Sequence, residues 1–465
     1  MKKNIKLSIP QFMAFCIYII IGMLLIVSFP GNEYTNTEVL LYTVLVIAYF
    51  IIVGLVVFSI IKFHIYLFEP FAIISILYIA IFIYRPIQDL LAHSIQYGGI
   101  DLTEAGIKAT VFFVVGYLAF YFGYFSEKRG LKCVNKALLY NTTPNISNLV
   151  LLWFVFYVLC IISTLSSGFS LKYVFSLGSE GERIVEQGNT ALLFLSNFAT
   201  SLLVVWMMIV SKSKNIALKI ILTVLTVIYL IVRNARWLIL IMVLEPLVYY
   251  YTKKRKKPKL IGIVILGILA LVMFAWMQMN RYNIATGKEM QSFAENGGLS
   301  LEILMSPFDS DLTTYTSFYG MTQSFPSAHP YMCGKTFMYV FVLFIPRAIW
   351  KTKPDNPVRY MIECSLGSFA KSNGRAVPNI GEMYANFGII GIILLMFLFG
   401  YIVSQLKQFY EKPTENRLVI YSLLYPLMFQ WVARGNFSGN FYYTLFAFIP
   451  FMIQWFIRNT MRRKL

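Results

Sequence analysis

The stretch FIPRAIWKTKPDNPVRY (Phe344–Tyr360) gives way, after a polar run, to VPNIGEMYANFGIIG (Val377–Gly391) and then to IILLMFLFGYIV (Ile392–Val403). Its first part is wet and cationic. Arg347, Lys351, Lys353, Arg359, Lys371 and Arg375 stand close together, broken up by Pro346, Pro354, Pro357 and Pro378, with Asp355, Glu363 and Glu382 as the acids among them. Its last part is apolar over the length that a bilayer demands of a helix. A basic loop feeding a spanning helix sets the class of the chain. It also raises the question of an anionic ligand, with phosphate, pyrophosphate and acidic sugar as the candidates. A solvated basic loop has the same composition.

Outward from that stretch, the chain is 58% hydrophobic, 17% aromatic and only 13% charged, with a mean hydropathy of +0.67. Soluble domains carry roughly twice that charged fraction. Apolar runs near 9–29, 38–61, 65–84, 105–125, 147–165, 190–210, 216–232, 235–251, 260–279, 381–403, 417–433 and 440–457 predict an all-α polytopic membrane protein of about twelve transmembrane helices. Residues 1–279 hold helices one to nine and 381–465 hold ten to twelve. Between them, 280–380 forms one large loop. Within it, 301–323 reads as a helix bearing Asp309 and Asp311. Thr336–Ile345 is apolar but too short to cross, which predicts a re-entrant or interfacial segment near 336–350.

The net charge of +19 suggests nucleic acid only until the cations are mapped. Placing the N-terminus inside puts 24 Lys and Arg in cytoplasmic segments and seven in short external ones. That bias predicts cytoplasmic termini and an external 280–380 loop. The cytoplasmic loops hold no GxxxxGK[ST] and no GxGxxG after a strand, which argues against nucleotide-driven chemistry there. Five scattered cysteines without CxxC and three distant histidines (His64, His93, His329) argue against a metal site. A Cys333–Cys364 disulfide is open if the loop faces an oxidising compartment. No cofactor and no nucleic-acid partner is expected.

Two further turns carry arginine at the external lip: Val232-Arg233-Asn234-Ala235-Arg236-Trp237 and Arg434-Gly435-Asn436-Phe437-Ser438-Gly439-Asn440. Snorkelling arginines beside an interfacial tryptophan would look the same. Glu245-Pro246 reads as a kink or a snorkelling acid. Gly388 and Gly391 read as close-packing positions between helices.

Together, F-I-P-R-x-x-W-x-x-K-P (Phe344 to Pro354), G-E-x-Y-x-N-F-G-x-x-G (Gly381 to Gly391), the pair Arg233 and Arg236, and Arg434-Gly435 resemble the Wzy-type O-antigen and oligosaccharide repeat-unit polymerases. The motifs cover about 60 residues, and the resemblance in plan covers most of the chain. The loop departs from the repeated RX10G-type pattern of some members. The resemblance implies a C-type glycosyltransferase-like fold in the bacterial cytoplasmic membrane and metal-independent transfer on undecaprenyl-pyrophosphate-linked glycans at its outer face. It leaves room for a chain-length regulator as a partner beside the lipid bilayer. On this reading Arg347 and Lys353 stabilise the leaving pyrophosphate and Glu382 is the base. Arg233, Arg236, Arg359, Arg375, Tyr384, Asn386 and Arg434 contact substrate. A lipid-linked oligosaccharide flippase and an O-antigen ligase are the alternatives.

Overall fold

The computed structural model describes residues 9–28, 31, 33–126, 145–166, 195–232, 236–255, 260–280, 291–296, 298–300, 303–304, 312–345, 349–372, 375–411 and 413–462. The chain is an α-helical multi-pass membrane protein. Its helices are α1 (Ile9–Val27), α2 (Asn36–Phe63), α3 (Pro70–Leu91), α4 (Thr103–Phe125), α5 (Ile146–Ser166), α6 (Phe198–Lys212), α7 (Ile216–Val232), α8 (Arg236–Lys254) and α9 (Leu260–Met279). Then follow α10 (Tyr315–Ser324), α11 (Pro357–Ser372), α12 (Asn379–Glu411), α13 (Glu415–Ala433) and α14 (Phe437–Arg462). A helix lies under each of the twelve apolar runs. Among the described residues, seven helices are long and apolar enough to cross a membrane.

Local chemistry sets the boundaries. Thr35 caps α2 through a reciprocal bond with Glu38. The third apolar run begins later than expected, at Pro70, and extends to Leu91. The Tyr421 and Tyr425 hydroxyls hold Phe68 and Leu67 by their carbonyls and keep that segment out of the helix. A π-helical turn at Ala80–Tyr84 precedes Pro86, so the missing proline amide falls where the ladder is already interrupted.

Packing forms two apolar clusters that meet at α12 and α13: one built from α2, α3, α4, α10 and α11, the other from α5 to α8 and α14. The most extensive pair is α4 with α12. Glycines allow it. A Cβ on Gly123 would sit 2.1 Å from the Phe397 carbonyl, and one on Gly400 would sit 2.2 Å from that of Phe120.

Part of the expected loop is core. Helix α10 covers the last part of the helix expected over 301–323, and its residues Tyr315 to Thr322 are all buried. Its polar groups bond inward: Ser317 to the Ala376 carbonyl, Thr322 to that of Ala105, and Tyr315 to Asp89 at 2.6 Å. Burial, with the Asp89 carboxylate beside it, holds the Tyr315 phenol well above its ordinary value, so it remains a donor. Asp309 and Asp311 lie outside the described residues. Thr336–Ile345 folds around two single-turn helices, Lys335–Met338 and Val340–Leu343, and the Met338, Phe341 and Phe344 side chains of this segment are exposed. Cys333 and Cys364 are free thiols.

Candidate functional site

Helix α12 starts where Pro378 ends the preceding extended segment, and Asn379 anchors its first residue by donating to the Tyr78 hydroxyl at 2.8 Å. Gly388 interrupts it at φ 64° and ψ −152°, a conformation in which a side chain would be strained, with the Tyr331 hydroxyl packed where a Cβ would stand. Gly388 is therefore a helix break, where close packing alone was expected. The break separates a buried opening segment, Asn379 to Asn386, from the partly exposed apolar helix that follows.

Glu382 lies in that opening segment and is 3% exposed. Its Oε2 accepts the Phe437 amide at 3.1 Å. Phe437 is the first residue of α14, so the carboxyl faces the positive end of a second helix besides its own. Asn386, fully buried, donates to Thr336 Oγ1 at 2.8 Å and to the Glu382 carbonyl at 2.7 Å, while its Oδ1 accepts the Gly334 amide at 3.0 Å.

The Arg434 turn rests on the same spot. A Cβ on Gly435 would sit 2.7 Å from Asn379 Cα, so only glycine lets the turn settle on the start of α12. Asn440 clasps the turn from within, donating to the carbonyls of Gln430 and Arg434. Arg434 is half-buried. From the third side, Phe337 packs between Phe387 and Phe437, and the Tyr442 hydroxyl holds the Val340 carbonyl at 2.8 Å. Lys353 closes this segment, its buried ammonium donating to the Leu343 and Ile345 carbonyls, both at 2.9 Å. Trp237 lies against Tyr443 with ring centroids 4.8 Å apart, which brings the start of α8 to the same end of α14.

A cavity of about 550 Å³ runs from this cluster between α12, α13 and α14. Glu382, Asn379, Gly435, Phe437 and Asn440 line one end, and Gln405 and Gln408 the other. The walls between are apolar. Leu398, Ile402, Phe441 and Leu445 line it and are also exposed on the outer surface of the bundle. The cavity thus opens at the bundle surface as a groove along α12.

The fold thus gathers Glu382, Asn386, Arg434 and the Lys353-held segment. Other expected site residues serve elsewhere. Arg375 lies on the α10 side, donating to Thr316 Oγ1 at 2.7 Å with its guanidinium 4.9 Å above the Tyr97 ring. Tyr384 is buried and donates to the Phe325 carbonyl at 2.9 Å. Arg359 is exposed in the first turn of α11. Arg233 and Arg347 lie outside the described residues, and so do the side chains of Arg236 and Lys371. Thr336, Phe437 and Asn440 escaped sequence reasoning. Among the described residues, no group of three or more His, Cys, Asp or Glu is placed to hold a metal ion.

No curated protein and no solved structure matches the chain. Over residues 12–464 it matches the O-antigen polysaccharide polymerase Wzy family, and that near-complete coverage makes it a member.

Proposed function

We propose that the protein joins undecaprenyl-pyrophosphate-linked oligosaccharide repeat units into a surface polysaccharide at the outer face of the cytoplasmic membrane. Twelve helices cross the bilayer, both termini are cytoplasmic, and 280–380 is external. The carrier's prenyl tail lies in the groove between α12 and α14, entering sideways from lipid. Its pyrophosphate comes to the groove's Glu382 end, where Arg434 and the segments bearing Arg236, Arg233 and Arg347 meet it.

The chemistry follows from the charges. Glu382 takes the proton from the acceptor sugar hydroxyl, whose oxygen attacks the anomeric carbon of the donor chain. The carbon–oxygen bond to the carrier breaks, and its electron pair leaves with the pyrophosphate, where the cations stabilise it. Lys353 holds the Arg347 segment in register, and Asn386 supports Glu382 from behind. No metal is needed for this scheme.

The observation that carries the reading is a buried carboxyl at one end of an apolar groove. Deleting the gene and sizing the lipid-linked glycans tests it. Accumulation of single repeat units on the outer face is expected. Units trapped inside would point to a flippase, and long unattached chains to a ligase.

A further inference from the structure

We propose that Trp431 is a specificity-determining residue that packs on the first isoprene unit of the carrier, next to the pyrophosphate, with Thr444 fixing its ring. This rests on reading the groove as the seat of the prenyl tail.

Helix α13 lines the groove with Leu424, Met428 and Trp431, and Gly435 of the Arg434 turn lines it next. Steps of four and three residues keep the first three on one helix face. Trp431 is therefore the last side chain that α13 gives the groove before the turn. Arg434 follows it by three residues, about one helical turn. A lipid whose pyrophosphate meets Arg434 thus lays its nearest carbons on the indole. Phe437 marks the same level from α14. Its amide bonds the Glu382 carboxyl, and its ring meets that of Trp431 edge-on, with centroids 5.8 Å apart and planes at 77°.

The donors at this level are spent within the protein. The indole N–H donates to Thr444 Oγ1 at 3.0 Å, and the Thr444 hydroxyl donates to the Asn440 carbonyl at 2.9 Å. The Asn440 amide donates to the carbonyls of Gln430 and Arg434. What Trp431, Phe437, Phe441 and Phe337 present to a ligand is aromatic carbon. A sugar or a phosphate requires donors that these side chains do not supply, whereas an isoprene unit requires none. The bond to Thr444 also holds the plane of the indole. An allylic first unit is flat at its double bond and lies along such a ring. Saturating that bond puckers the unit and breaks the contact. Because the first unit carries the pyrophosphate, the residue that seats it also sets how far the pyrophosphate reaches toward Glu382.

The test is displacement of labelled undecaprenyl phosphate from the purified full-length protein. The competitors are unlabelled undecaprenyl phosphate and its dihydro analogue, saturated only in the first unit. The wild type should prefer the unsaturated lipid roughly three- to tenfold. Trp431→Leu should weaken binding of undecaprenyl phosphate roughly tenfold and erase the preference. Should leucine impair folding, Trp431→Phe is read instead. Its ring has no N–H for Thr444, so most of the preference should go. Thr444→Val should lower the preference with a smaller loss of affinity, and an unchanged preference there would remove Thr444 from its role. Equal affinities for the two lipids in the wild type, or a preference unchanged by the Trp431 substitution, overturn the proposal while leaving the carrier in the groove. A wild-type protein that binds neither lipid would overturn the placement of the carrier as well.

Discussion

At the residue scale, the decisive question is whether Glu382 acts as a base or only as a cap. Its carboxyl accepts the first amide of α14, which is a sufficient structural reason for an acid there. Glutamine keeps an acceptor oxygen for that amide and loses only the ability to take a proton. Glu382→Gln should therefore leave membrane abundance intact and slow polymerisation by roughly 10²–10⁴-fold. Arg347→Lys probes the other half of the reaction in the same assay. A planar two-pronged donor is not replaced by a point charge, so a loss of roughly 10²–10³-fold is expected. Near-normal rates in either variant would remove that residue from its role.

At the scale of the element, α8 holds an acid with no visible purpose. Glu245 is fully buried, and neither carboxyl oxygen has a hydrogen-bond partner among the described residues. Pro246, the next residue, lies inside the helix and deprives the Met242 carbonyl of its usual amide. Glu245 is thus buried in the bundle, where a snorkelling acid was one reading. A buried polar group left unbonded costs about 1–3 kcal/mol, and an apolar side chain of similar shape removes that cost. Glu245→Met should raise the thermal unfolding temperature of the detergent-solubilised protein. A clear fall would reveal that the carboxyl serves a partner or ligand.

The whole molecule is organised by α12 and α13, where the two apolar clusters meet and where the groove opens. The proposed reaction requires the Glu382 end of that groove to face outward. The 24-to-seven distribution of cations in short segments argues for it. Cysteine introduced at Ser292 should react with an impermeant reagent in intact cells, and cysteine at Lys256 only after the membrane is opened. The reverse pattern would place the site, and its chemistry, on the cytoplasmic side.

The sequence by itself determined the helices, the membrane as solvent and the identity of the charged residues worth watching. Hydropathy and charge are properties of each residue, summed over a window, so twelve apolar runs are legible without neighbours. Glu382 and Arg434 stood out for the same reason, as charged groups at the ends of apolar runs, and Asn386 through the family resemblance. Only the tertiary structure decided what they touch. Phe437 reaches Glu382 across 55 residues of chain, and the burial of YTSFYGMT (Tyr315–Thr322) depends on carbonyls supplied by α4 and by Ala376. Transfer into lipid selects which segments become helices and is indifferent to which helices become neighbours. That choice comes from close approaches such as Gly123 with Phe397 and Gly435 with Asn379, and from hydrogen bonds between helices, which no window along the chain contains.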